Sequence, residues 1–234
     1  MKFEKNRVYL YLFMDKNLLS IALTGSRCSG KDGIAKLFRQ LGVPVFDADA
    51  VMKYIFNYRK SMPESVRKAF GREYVFGDYI NPIAFDTDQK IESLIELIEF
   101  ELFEAYERFR NKHKDKQYTI FHSSIIYEKN WSKKFDRVIC VFTPKQDRIN
   151  RYKSLTDDNL QTIHAIFSRE MNEIQKNQSS DFIIHNYEDA PDVLKQVENI
   201  DDKIVDYYLA LNKKKEVESE LFNAQQLHKN IYTF

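Results

Sequence analysis

The residues best suited to chemistry crowd together near position 30. In Ile21-Ala22-Leu23-Thr24-Gly25-Ser26-Arg27-Cys28-Ser29-Gly30-Lys31-Asp32-Gly33, an apolar run meets a turn, and a helix is expected from about Lys31. Three of the chain's six glycines (Gly25, Gly30, Gly33) fall in this stretch. Gly25-x4-Gly30-Lys31 is the spacing of a phosphate-cradling P-loop, where backbone N–H groups and a lysine surround an anion at the positive end of a helix. Glycines suit it because a Cβ would block close approach of the backbone. Residues 25–33 are therefore the candidate nucleotide contacts: Gly25, Ser26, Arg27, Cys28, Ser29, Gly30, Lys31, Asp32 and Gly33. The hydroxyl residue that usually ends the motif and holds Mg²⁺ is replaced by Asp32, an oxygen donor that Mg²⁺ accepts.

A second chemical signal follows at Val43-Pro44-Val45-Phe46-Asp47-Ala48-Asp49, a strand delivering two carboxylates at its C-terminal end. Beside a phosphate loop, that is where an open α/β sheet places its site. Asp49 can equally cap a helix over Ala50–Phe56.

The elements that position these groups alternate between strand and helix, which predicts an α/β fold with a parallel sheet flanked by helices. The loop helix carries Ile34, Phe38 and Leu41 on one face and stops at Gly42. Residues 50–110 read as helical. Their clearest stripe is Ile91, Leu94, Ile95, Ile98, Leu102, Ala105, Tyr106 and Phe109, with glutamates mostly outside it. Phe70-Gly71 and Asn81-Pro82 mark turns. Further strands are expected at Tyr118–Phe121, Phe135–Phe142 and Asp181–Asn186. Arg7–Phe13 has strand character too, either as an extra edge strand or as an addition ahead of the domain.

Composition narrows the class. The chain has 234 residues and a net charge of +1, which speaks against nucleic acid as the main partner. Its two cysteines, Cys28 and Cys140, suit a reducing cytosol better than a disulfide framework. No apolar run nears the roughly 18 residues needed to span a bilayer. A cytoplasmic protein with a small-molecule substrate is the expectation.

Several of these segments together resemble the dephospho-CoA kinases: Ile21–Gly25, Ser29-Gly30-Lys31, Leu41–Asp49, Ile125-Ile126-Tyr127-Glu128, Phe135–Val141 and Asp181–Asn186. The resemblance covers roughly residues 20–205. It implies a P-loop NTPase fold with a helical substrate-side insertion (about 50–115), a small lid (about 145–178), an N-terminal extension (1–19) and a C-terminal helical extension (206–234). It implies ATP and Mg²⁺, and phosphorylation of the ribose 3′-hydroxyl of dephospho-CoA. On this reading Lys31 holds phosphate, Asp49 accepts the hydroxyl proton, and Asp47 supports ribose or metal. Arg148 neutralises charge in the transition state, with Arg151 next in line, and Asn186 lies at the adenine edge. Thr156 caps a second lid helix running to about Lys176.

Besides Asp32, the sequence departs from the family in three further places. No His-Pro pair stands in the middle helices, Ser124 replaces a proline, and His122 replaces the acid expected at the end of its strand. Read alone, His122 is a core or surface histidine rather than a metal ligand or base. Restoring an acid there should raise turnover if metal organisation is the defect. Two other functions stay open: a nucleoside or deoxynucleoside monophosphate kinase, and a degenerate P-loop protein that binds nucleotide or a partner without catalysis.

Overall fold

The computed structural model describes residues 18–58, 62–77, 79–168 and 171–231. The possible strand at Arg7–Phe13 lies outside them. Five parallel strands form one sheet: β1 (Leu19–Gly25), β2 (Val45–Asp47), β5 (Tyr118–His122), β6 (Arg137–Phe142) and β7 (Phe182–His185), in the order β2-β5-β1-β6-β7. β1 is central, with Ile21 opposite Ile120 of β5 on one side and Arg137 of β6 on the other.

Alternation along β1 sends Ile21 and Leu23 to one face and Ala22 to the other, as the pleat requires. The Ile21 face is covered by α1 (Lys31–Gln40), through Ile34, Ala35 and Phe38, and by the start of α8 (Val193–Ile231), through Val197, Ile200 and Ile204. The Ala22 face is covered by α4 (Asp88–Lys112), whose Leu102, Phe103 and Tyr106 meet Phe46, Phe121 and Trp131. Each such side chain removed from water is worth about 1.5–3 kcal/mol. One polar cluster crosses this apolar layer: the Tyr106 hydroxyl lies 2.6 Å from Ser20 Oγ and 3.0 Å from Thr119 Oγ1. Burial pushes the Tyr106 phenol up to about 12, so it stays a neutral donor.

Between β2 and α4 run α2 (Ala48–Tyr58) and α3 (Met62–Phe70), as the periodicity predicts. The same region also holds a short antiparallel hairpin, β3 (Val75–Phe76) with β4 (Tyr79–Ile80), where helix was expected. Two-residue strands carry no period for a sequence reading to detect.

The lid differs as well. α5 (Lys145–Lys153) is followed by two short helices, α6 (Leu160–Ser168) and α7 (Glu173–Gln178), not one. Thr156 does not cap: its hydroxyl donates back to Tyr152 O, while Asn159 Oδ1 accepts from Thr162 N and Asn172 Oδ1 from Ile174 N. At the C-terminal side, the expected helical extension is not a separate element: one continuous α8 runs across the 205/206 boundary.

Candidate active site

Parallel strands bring their C-terminal ends to one edge, so Gly25, Asp47 and His122 become neighbours. The turn after β1 uses its glycines unequally. Gly30 sits at φ 85°, and a Cβ there would lie 2.2 Å from Asn186 Nδ2. At Gly25 a Cβ would come within 2.9 Å of the Val141 carbonyl oxygen. At Gly33 it would stand in open space, so that glycine has no steric duty. Cys28 adopts φ 58°, a conformation costly for a residue with a Cβ.

The first-turn amides of Lys31 and Asp32 have no acceptor within their helix and mark its positive end. The amide of Ser29 is already used within the turn, donating to Ser26 O at 3.0 Å, but its hydroxyl is buried and lacks a hydrogen-bond partner among the described residues. A cradle with an unpartnered buried hydroxyl, a helix start and a lysine is chemically suited to phosphate oxygens.

Lys31 Nζ lies 3.8 Å from Asp49 Oδ2 and 3.9 Å from Asp32 Oδ1. Asp49 is fixed from the other side by Ser123 Oγ at 2.9 Å and by the Ser124 N–H, at 3.3 and 3.2 Å from its two oxygens. A proline at 124 has no N–H to give, so this departure adds a donor aimed at the carboxylate. Helix capping falls to Asp47 rather than Asp49: Asp47 Oδ1 accepts from Ala50 N at 3.0 Å. The facing His122 imidazole, followed by that amide and Arg39, overcomes burial and holds the Asp47 carboxyl at about 2.

His122 is 2 % exposed and stands between two carboxylates. Its Nε2 is 3.2 Å from Asp32 Oδ1 and its Nδ1 3.7 Å from Asp47 Oδ1, neither in hydrogen-bond alignment. The single-residue reading of a core histidine holds for burial and misses this bridging position. His122 lies more than 70 residues from each of Asp32, Asp47 and Asp49, so no local pattern links it to them.

The lid arginines both reach the loop. Arg148, 2 % exposed, donates to Arg27 O, pairs with Glu173 and lies over the Phe167 ring. Arg151 donates to Cys28 O at 3.2 Å and to Asn186 O at 2.8 Å. Asn186 turns its amide to Ser29 O at 2.7 Å, so it grips the loop itself. Thr143 Oγ1 adds its single proton between Ser29 O and Asn186 O. The roles of Thr143, Ser124 and Glu173 depend on contacts between distant segments and have no sequence signature.

Among the described residues, no three His, Cys, Asp or Glu side chains converge as a metal cage. Mg²⁺ needs none, since it is held by one or two carboxylates together with water and substrate phosphates. Asp32, largely exposed beside the loop, offers the hard oxygen that such binding uses.

A P-loop at the end of the central strand, faced by carboxylates and roofed by arginines, belongs to the P-loop kinases, transferases that bind nucleotide. The family model for dephospho-CoA kinase matches residues 19–192, and the chain belongs to that family. It is 25 % identical to the dephospho-CoA kinase of Fusobacterium nucleatum over 188 residues, which span 78 % of this chain and 96 % of the relative. With the Aquifex aeolicus enzyme it shares 28 % over 192 residues, 77 % and 94 % of the two chains. Its fold is similar to a solved Thermus thermophilus protein, with TM-score 0.66, 20 % identity and coverage of 82 % and 98 %. It is also similar to a Campylobacter jejuni dephospho-CoA kinase, with TM-score 0.51, 17 % identity and coverage of 80 % and 98 %. No described helix is long and apolar enough to cross a membrane.

Proposed function

We propose that the chain transfers the γ-phosphoryl group of ATP to the ribose 3′-hydroxyl of dephospho-CoA. The observation that carries this reading is the family match over residues 19–192, which takes in loop, carboxylates and lid as one unit. Lys31 and the first-turn amides of α1 hold phosphate oxygens. Asp49, tethered by Ser123 and Ser124, accepts the proton of the attacking hydroxyl. Asp47 supports the ribose or the metal, and Asp32 ligates Mg²⁺, which when bound supplies positive charge against the phosphates. Arg151 is the better placed of the two arginines to meet a phosphate, because the Arg148 charge is already matched by Glu173. Residues 20–205 form the catalytic unit, with an acceptor side at about 50–115.

A second reading, nucleotide binding without turnover, is favoured by one observation: His122 occupies the strand end beside Asp32 and Asp47 where an acid is expected. One assay separates the two. Purified protein is given ATP and Mg²⁺ with dephospho-CoA or a panel of nucleoside monophosphates, and products are identified by mass. CoA is the expected product, and Lys31→Ala should abolish both turnover and ATP binding while the protein stays folded. ATP binding with no phosphorylated product from any acceptor establishes the second reading instead.

A further inference from the structure

P-loop nucleotide sites of this general kind hold their metal with a hydroxyl on the loop and a carboxylate at a strand end. Here the charges stand the other way round, with a carboxylate on the loop at Asp32 and an imidazole at the strand end at His122. The two side chains are 90 residues apart in sequence, yet His122 Nε2 and Asp32 Oδ1 are within 3.2 Å. They are therefore placed to act on each other directly.

We propose that His122 is a positioning residue, lodged between Asp32 and Asp47, that holds the Asp32 carboxylate beside the phosphate site so that the pair together replaces the usual hydroxyl and acid. The proposal rests on reading the loop as a nucleotide site and names how that site takes its metal.

Four observations support it. The ring is buried at the end of β5, so its position is set by the protein around it and not by solvent. Its nitrogens face two different carboxylates on opposite sides, which a single metal bound at the ring could not satisfy. Asp32 is otherwise largely exposed and has Lys31 Nζ at 3.9 Å, so without the imidazole it would be free to fold onto the lysine that phosphate needs. Asp47 is occupied by the Ala50 amide, which leaves it as the fixed wall against which the ring sits.

The arrangement reverses the simple expectation for His122→Asp. An acid at 122 would bring a third carboxylate against Asp32 and Asp47 in a buried corner, so the single change should be harmful. It should become acceptable only when Asp32 is also replaced.

The test is a double-mutant cycle read by ATP affinity, measured calorimetrically once with Mg²⁺ and once with EDTA. The proteins are wild type, Asp32→Ser, His122→Asp, and Asp32→Ser with His122→Asp. Wild type should bind ATP much more tightly with Mg²⁺. Each single variant should change the ratio of the two affinities by on the order of tenfold, and the double variant should return within about threefold of wild type. Independent effects that simply multiply in the double variant overturn the proposal.

His122→Asn serves as the control for folding, since it keeps a buried polar side chain of similar reach. A positioning role predicts a changed Mg²⁺ ratio in a protein that remains folded. A melting temperature that falls while the ratio stays at the wild-type value makes His122 merely structural and overturns the proposal. No ATP binding by wild type removes both this proposal and the reading beneath it. Normal Mg²⁺-dependent binding without CoA formation removes only the assignment of dephospho-CoA as acceptor.

Discussion

At the scale of single residues, the loop glycines separate into those under steric constraint and one that is not. Gly30 combines a left-handed backbone with a neighbour where its Cβ would go, and Gly33 has neither. Gly30→Ala is expected to cost about 1–2 kcal/mol from conformation alone, and to loosen the Asn186 bond that holds the loop. Gly33→Ala should raise stability by about 1 kcal/mol, since it exchanges a poor helix former for the best one on an exposed position. Chemical denaturation and ATP titration on the two variants check both statements. The expected pattern is lost affinity in the first and unchanged affinity in the second. The spacing of the glycines is legible from sequence because the motif is local. Their division of labour is not, since it depends on Asn186 and Val141 arriving from other strands.

At the scale of elements, the lid is held down by charge inside an apolar setting. α5 carries Arg148 to Glu173 at the start of α7, and α7 sends the buried Lys176 to Glu128 in the segment after β5. Breaking a buried pair from one side leaves an uncompensated charge, typically at a cost of 3–5 kcal/mol. Arg148→Ala should therefore lower stability by about 3 kcal/mol, whereas Arg151→Ala, which leaves no buried acid behind, should cost less and act mainly on turnover. Thermal melts paired with initial rates distinguish the two. The long stripe from Ile91 to Phe109 is readable as a helix because about five turns of period outweigh local noise. The broken lid and the hairpin at Val75–Ile80 are not, since elements of two to nine residues take their shape from caps and neighbours. The choice between Arg148 and Arg151 fails for a related reason: both are charged and three apart, and only packing tells which one meets Glu173.

At the scale of the whole molecule, the first turns of α8 close one face of the sheet and the rest of the helix runs on past it. Val197, Ile200 and Ile204 are almost fully buried, which at roughly 1.5–3 kcal/mol each approaches the entire stability of a domain. A chain ending after Leu211 should keep its melting temperature within a few degrees and its ATP affinity within about twofold. A chain ending after Asp192 should fail to fold cooperatively, as followed by circular dichroism.

The strand order β2-β5-β1-β6-β7 was not available to sequence reading, because pairing partners of β1 lie about a hundred residues away. That separation has a consequence for synthesis. The grip on Ser29 comes from Thr143, Arg151 and Asn186, the last of them 157 residues downstream. At 5–20 residues per second, a ribosome takes roughly 8–30 s to travel from the loop to its clamp. Until β7 has left the exit tunnel, the nascent chain carries the complete phosphate motif without the means to hold its shape. The clamp on the loop therefore forms only after residue 186 has emerged, too late for an anion held there to act as an early template for folding.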